Sequence, residues 1–352
     1  MSNRKEKFRG SLINLAGLVV LFVLLFAIME SGMVSGYVRG IAVQCCFVIV
    51  MVTSLNLAMG FLGQLALGHA GFMAVGAYTS ALLAKALLNN NILSTGPGAD
   101  ILLFFICMVG GGLVAALFGV LVGIPALRLR GDYLAIITLG FGEIIRVVIQ
   151  NLKIAGSQGL AEGQAGQPLI GIPIMNNIYV LYWIVALCVA VMFAFVRSKY
   201  GRAITAIRED DIAASCVGLN TTYYKVFTFT ISAMFAGIAG AMFAFRGLGT
   251  ISPTDFSFLK STDYVIMVVL GGMGSLTGSI IAAIVLSILP EVLRAFAEYR
   301  MLLYSVVLVL VMIFRPIGLL GGHEFSLTRA LEKAPAFFKK LFGGSKKEVQ
   351  NL

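Results

Sequence analysis

Gln64, His69 and Tyr78 stand in "GQLALGHAGFMAVGAYTSALL" (63–83), a stretch otherwise apolar enough for lipid, with Asn56 a little upstream. Ser275 stands among glycines in "GGMGSLTG" (271–278), and Glu143 and Arg146 lie three apart in "LGFGEIIR". Side chains of these types have a small repertoire in such surroundings. His69 or Glu143 can carry a proton across an apolar barrier. A buried Ser and His can perform acyl transfer, with Ser275 as nucleophile and His69 as base. Asn56, Gln64, His69 and Tyr78 can contact a substrate, or they can hydrogen-bond one helix to another. Glu143 and Arg146, at i and i+3, neutralise each other on one helix, unless Glu143 faces a pathway or a partner. Metal chemistry finds no support: Cys45, Cys46, Cys107, Cys188 and Cys216 have no ligand spacing, and most sit in apolar runs as small hydrophobes. The chain also has no G-x-x-x-x-G-K-[ST] sequence, so it lacks the loop that cradles nucleotide phosphates.

Composition decides which elements carry these residues. With 59% hydrophobic residues, 12% charged residues and a mean hydropathy of +0.96, the chain has too little polar surface to cover a water-soluble domain, and the bilayer is its solvent. Apolar runs at 11–29, 38–59, 64–88, 101–127, 133–152, 178–196, 225–246, 262–290 and 301–314 approach or exceed the roughly 20 residues a helix needs to cross. Strand-like alternation is absent, so the fold class expected is all-α, a polytopic transmembrane helical bundle. The first run follows a basic stretch but no small-residue cleavage site, and it reads as a retained helix rather than a signal peptide.

The net charge of +10 would suggest nucleic acid in a soluble protein. Here the basic residues flank the apolar runs, as the positive-inside rule requires, and no nucleic acid is expected. Arg4, Lys5, Lys7 and Arg9 place residues 1–10 in the cytoplasm, and Arg128, Arg130, Arg197, Lys199 and Arg202 mark cytoplasmic loops. "GSQGLAEGQAGQP" (156–168) holds no Lys or Arg and faces outward. The basic tail 322–352 is cytoplasmic, with an interfacial amphipathic helix around "LTRALEKAPAFFKKLF". Both ends inside require an even number of crossings, whereas the runs are odd in number. About eight full crossings are expected, with one run split or bent back.

Glycine locates the breaks. Each Gly in a helix interior costs on the order of 1 kcal/mol relative to Ala, and they cluster in 60–76 and 271–278, one cluster in each half of the chain (11–196 and 225–321). Irregular backbone at membrane depth survives only against protein or a watery cavity. Paired Gly-interrupted segments in two internal repeats point to a translocation pathway; close helix packing is the simpler reading of any single Gly. The candidate pathway residues are Asn56, Gly63, Gln64, Gly68, His69, Tyr78, Gly271, Gly272, Gly274, Ser275 and Gly278. The breaks hold no acidic or basic cluster, which favours a substrate without net charge.

Between the halves, 197–224 is a long polar loop. Ala203, Ile204, Ile207, Ile212, Ala213 and Val217 recur at helical spacing, with Arg208, Glu209, Asp210 and Asp211 on other faces and Gly201 and Gly218 as flanks. A connector needs only a few residues, so an ordered loop of this length has a task.

"LNLAMGFLGQLALGHAGFMAVGAYTSALL" (55–83), "RLRGDYLAIITLGFGEIIR" (128–146), "GRAITAIREDDIAASCVGL" (201–219), "VVLGGMGSLTGSIIAAI" (268–284) and "FRPIGLLG" (314–321), in this order, resemble the permease subunits of branched-chain amino acid ABC importers. The longer, M-type permease of the pair is the most similar. The resemblance implies a bacterial inner-membrane subunit that is not itself an enzyme. Its partners would be a second, H-type permease, two ATPase subunits that hold ATP and Mg, and an external substrate-binding protein. It also implies that the loop couples to the ATPase, through Arg202, Arg208, Glu209, Asp210, Asp211, Ala213, Ala214 and Gly218. "IAASCVG" (212–218) keeps the Ala-Ala-x-x-x-Gly core of the family's coupling motif, but Ile212 replaces its leading Glu and its later Leu-Pro is missing. Other members take other neutral amino acids or small amides such as urea. A proton-coupled carrier using His69 or Glu143 needs no ATPase and remains a distinct expectation. A Ser275–His69 hydrolase would leave the loop without a role.

The charge pattern makes a test of topology. A membrane-impermeant maleimide applied to intact cells is expected to label a cysteine at position 160 (Leu160→Cys) and to leave one at 210 (Asp210→Cys) untouched; the reverse result overturns the orientation.

Overall fold

The computed structural model describes residues 36–89, 97–129, 131–151, 169–175, 177–246, 249–296, 299–314, 318, 319 and 321. The expected first helix (11–29), the outward segment 156–168 and the tail 322–352 lie outside the described residues. The chain is helical where the hydropathy demands it. Helix α1 (Gly36–Asn56) runs into a π turn (Leu57–Phe61), and α2 (His69–Asn89), α3 (Pro97–Ala126), α4 (Asp132–Asn151) and α5 (Ile178–Arg197) follow. The polar loop forms α6 (Lys199–Glu209) and α7 (Asp211–Cys216), before α8 (Thr221–Ala244) re-enters the bundle. Then come α9 (Phe258–Gly271), α10 (Leu276–Val292) and α11 (Arg300–Phe314). Six of these helices are long and apolar enough to cross a membrane: α1 with its π turn, α2, α3, α4, α5 and α8. The chain is therefore an all-α, multi-pass membrane protein. A two-residue ribbon, Leu169–Ile170 antiparallel to Thr250–Ile251, ties two loops together.

The expected runs were displaced where glycines intervene. The run 64–88 starts as helix only at His69, so 69–76 of the expected break 60–76 is regular helix. The run 262–290 is two helices, parted at Gly272–Ser275. The loop 197–224 is also two helices rather than one. Asp210 is extended (φ −154°, ψ 110°); it ends α6, and its carboxylate accepts from Ile212 N and Ala213 N to start α7.

The centre of the bundle is α8, packed on α2 and α3, with α1 against α8, α9 and α10. Lipid tails are as apolar as leucine, so close van der Waals approach must supply the attraction that water supplies elsewhere. The sequence provides it with glycine. A Cβ on Gly76 (α2) would lie 2.2 Å from Gly237 O (α8), and one on Gly237 would lie 2.4 Å from the Ala115 side chain and 2.9 Å from Gly111 O (α3). Three backbones thus meet at one point. Ser232 Oγ adds a hydrogen bond from α8 to Ser54 O on α1, at 2.6 Å.

Overpacking that point has a predictable result. Gly237→Leu is expected to destabilise the bundle by about 1–3 kcal/mol or more and to lower its melting temperature in detergent. Gly40→Ala should be neutral, because a Cβ at Gly40 meets nothing within 4 Å. Equal melting of both variants would refute the three-helix contact.

Candidate functional site

The two breaks meet. Asn56, at the end of α1 and fully buried, donates through Nδ2 to Ser275 O (2.9 Å) and Ser279 Oγ (2.8 Å). Its Oδ1 accepts from Gly274 N at 3.0 Å. One side chain therefore satisfies the Gly274 N–H that the α9–α10 break leaves open and adds a donor to Ser275 O, which also accepts from Ser279 N (3.1 Å) in the first turn of α10. The approach is close enough that a Cβ on Gly60 would lie 2.3 Å from Gly274 N. Gly271 and Gly278 close the same turn, since a Cβ on Gly278 would meet Gly271 O at 2.1 Å. Gly272 and Gly274 hold positive φ, 107° and 86°, a region nearly closed to other residues. Ser275 caps α10 by accepting from Gly278 N at 3.1 Å.

The loop reaches this junction directly. Arg208, on α6, donates through Nη1 to Gly60 O in the π turn. A Cβ on Gly63 would lie 2.9 Å from Arg208 Cγ, and one on Gly274 would lie 3.0 Å from Arg208 Nη1. The guanidinium thus sits between the breaks while its stem stays on the loop. Ile204 and Ile207 turn inward (1% and 4% exposed), so the apolar face of α6 packs on its own chain. On α7 only Ala214 is buried, whereas Ile212 and Val217 stand 66% and 84% exposed with Ala213 beside them. Lys225 Nζ pairs with Asp211 Oδ2 at 2.8 Å and fixes α7 to α8. Gly218, at φ 88°, closes α7: its N–H bonds Ser215 O (3.0 Å), and Leu219 N bonds Ala214 O (3.2 Å). Arg202, Arg208, Glu209 and Asp210 are exposed, so the Arg208 guanidinium reaches the junction from the solvent side.

The irregular stretch 62–68 is partly covered by protein: Leu62, Ala66 and Gly68 are buried, whereas Gly63 and Leu65 are exposed. Leu67 N donates to Thr138 Oγ1 (3.2 Å), and Ala70 N to Ser261 Oγ (2.9 Å). A Cβ on Gly68 would overlap Thr138 O on α4. His69 is buried and its Nε2 lies 3.1 Å from Ser54 Oγ. The Ser54 proton is directed at Met51 O (2.7 Å), so His69 donates and its Nδ1, buried without a partner, is the acceptor. No hydrogen bond joins His69 to Ser275, and the acyl-transfer pairing is not formed. Gln64 Oε1 is likewise buried without a partner. Tyr78 lies apart from the junction, its ring 6.1 Å from Phe256, on an apolar cavity of about 340 Å³ between α2, α3 and α4. Glu143 and Arg146 do pair, at 2.7 Å, and the other Glu143 oxygen accepts from Phe258 N (3.0 Å) at the start of α9.

Sequence reasoning missed Ser54, Thr138, Ser261 and Ser279. Small hydroxyls in helices carry no pattern of their own; their partners lie 15 to 223 residues away. No group of three or more metal-ligating side chains occurs among the described residues.

Apolar helices around facing chain breaks, with a loop side chain inserted between the breaks, define a polytopic membrane protein of the permease kind. The sequence model of the family described as "Branched-chain amino acid transport system / permease component" matches residues 37–314, and the chain belongs to that family. Within it the chain is LivM-like. It is 39% identical over 330 residues to the high-affinity branched-chain amino acid transport system permease protein LivM of Salmonella typhimurium, and equally to that of Escherichia coli K12. Each alignment covers 86% of this chain and 74% of the relative. The LivH permease protein of Escherichia coli K12 is 28% identical over 282 residues, covering 76% of this chain and 89% of LivH. No solved structure matches.

Asn56→Leu is expected to leave Gly274 N without its partner, while Ser275 O keeps Ser279 N, and to cost about 1–3 kcal/mol for the orphaned N–H. The check is thermal unfolding of the purified protein. An unchanged melting temperature would mean that the junction does not hold the breaks together.

Proposed function

We propose that this chain is one permease subunit of an ATP-driven importer for branched-chain or other neutral amino acids. A second permease of the LivH kind would complete the pathway, two ATPase subunits would hold ATP and Mg, and an external protein would deliver the substrate. Membership of the permease family supports the transport class. The observation that carries the ATP-driven reading is the loop: α7 offers Ile212, Ala213 and Val217 to a partner, while Arg208 on the adjoining helix reaches the facing breaks. A cleft that grips α7 and moves would thereby act on backbone at the pathway. Closure of the ATPases repacks α6 against the π turn, and the bundle alternates between two arrangements. The pathway residues of this chain are those at the junction, namely Asn56, Gly60, Gly274 and Ser275, with His69 acting to join α1 and α2. No covalent chemistry falls to this subunit.

Ala213→Glu tests the coupling. Ala213 is exposed, so the fold should tolerate the change, and a carboxylate buried unpaired in a partner's cleft costs several kcal/mol. In the reconstituted complex, substrate uptake and substrate-stimulated ATP hydrolysis should both be lost while the protein still inserts. Gly218→Val should also fail, but through its positive φ, because a Cβ there meets no neighbour. Normal coupling in both variants would make the loop a mere connector. Uptake by this chain alone in proteoliposomes would favour the proton-coupled carrier instead. Binding of amino acids against urea and short amides to the cognate external protein identifies the substrate.

A further inference from the structure

At the end of the bundle opposite the loop, a cavity of about 450 Å³ opens between α1, α9 and α10, beside the end of α8. The 24 residues of α8 span about 36 Å, so cavity and loop lie near opposite faces of the membrane. The walls are of two kinds. Phe47, Phe243, Met267 and Leu286 form an apolar side, with Phe47 and Phe243 edge to face at 5.2 Å. Arg246, Lys260, Asp255, Asp263 and Glu291 bring both signs of charge. Most of these charges already have partners: Lys260 with Asp263 (3.7 Å), and Glu291 with Arg294 (3.4 Å). Arg246 and Asp255 have no ion pair among the described residues. The Arg246 guanidinium lies over the Phe243 ring at 3.7 Å, and its Nε is buried without a hydrogen-bond partner. Asp255 has one oxygen engaged by Ser252 N, at 3.2 Å, which holds its carboxylate in place.

A rigid cation and a rigid anion face one space without closing on each other, and both border an aromatic and aliphatic wall. We propose that this cavity is a binding site for a free zwitterionic α-amino acid with an apolar side chain. Arg246 takes the α-carboxylate, Asp255 takes the α-ammonium, and the Phe47–Phe243 side takes the hydrocarbon. The planar guanidinium suits a carboxylate bidentately. The ligand's charges would be paired on leaving water, which removes most of the penalty of burying them. The site rests on the amino-acid importer reading, and its place fits that role: α1, α9 and α10 run from this cavity to the Asn56–Ser275 junction. A phospholipid head group with an amine presents the same pair of charges, and the test must separate the two.

The complete complex, in nanodiscs and without the external binding protein, is assayed for radiolabelled leucine by scintillation proximity. Binding is expected to be weak. Leucinamide, which lacks the carboxylate, and 4-methylpentanoate, which lacks the ammonium, should each compete at least about tenfold less well than leucine. Arg246→Gln should abolish the preference for leucine over leucinamide, Arg246→Lys should retain part of it, and Asp255→Asn, which keeps an acceptor for Ser252 N, should abolish the preference over 4-methylpentanoate. Phosphatidylethanolamine retained by the complex, lost in both charge-removing variants and not displaced by leucine, would assign the cavity to lipid and overturn the proposal. Equal binding by wild type and both charge-removing variants would overturn it too, as would no binding at all. If the complete importer then still takes up leucine, the importer reading stands and only this site falls. If it takes up no neutral amino acid, that reading itself fails.

Discussion

Backbone that is not helical inside a bilayer must find its hydrogen bonds in protein, and the structure depends on how Asn56 meets that demand. Its amide reaches across from the end of α1 to the α10 side of the α9–α10 break, at Gly274 N, Ser275 O and Ser279 Oγ. An amide is suited to this because it donates and accepts at once, matching a carbonyl and an N–H that face the same space. A carboxylate could accept from Gly274 N but could donate neither to Ser275 O nor to Ser279 Oγ, and a hydroxyl is too short to serve both. The π turn after Asn56 then carries the chain onward, and its freed carbonyl at Gly60 accepts from Arg208. A helix break, an asparagine and a loop arginine therefore form one bonded unit.

Glycine makes that unit possible in two ways. At Gly272 and Gly274 it permits positive φ, and elsewhere it allows backbones to touch. The three-helix contact at Gly76, Gly111 and Gly237 belongs to the second kind. It gives α2, α3 and α8 a common fixed point without any polar group. The irregular stretch 62–68 then lies partly buried against a stable scaffold, with Thr138 supplying an acceptor for Leu67 N and Ser261 one for Ala70 N in the first turn of α2.

Hydropathy made the crossings legible, because twenty apolar residues have few alternatives in lipid. The breaks were legible as glycine clusters, although their edges were not: His69 begins a helix despite the glycines that follow it. Helix propensity, a matter of about 1 kcal/mol per Gly, yields there to packing against α8. What the sequence hides is pairing over distance. Asn56 and Gly274 are 218 positions apart, and no local pattern joins them. The loop misled for a related reason. Its apolar positions share one helical period, yet Asp210 breaks the helix, so Ile204 and Ile207 face inward while Ile212 and Val217 face out. Arg246 and Asp255 escaped notice because charges at the ends of apolar runs ordinarily mark only the water interface.

The placement of Arg208 constrains how force can pass through the molecule. Its stem belongs to a short helix whose apolar face is locked onto the bundle by Ile204 and Ile207, so α6 cannot slide alone. Any displacement of α7, held to α8 by the Lys225–Asp211 pair, moves α6 through the single extended residue Asp210. The guanidinium must then either carry the Gly60 carbonyl with it or leave that carbonyl unpaired in an apolar setting. The second alternative costs a partly buried hydrogen bond unless water takes the place of the guanidinium. Loop position and hydration of the breaks are thus linked. By reciprocity, a ligand that favours hydrated or dry breaks must bias the position of the loop by the same free energy.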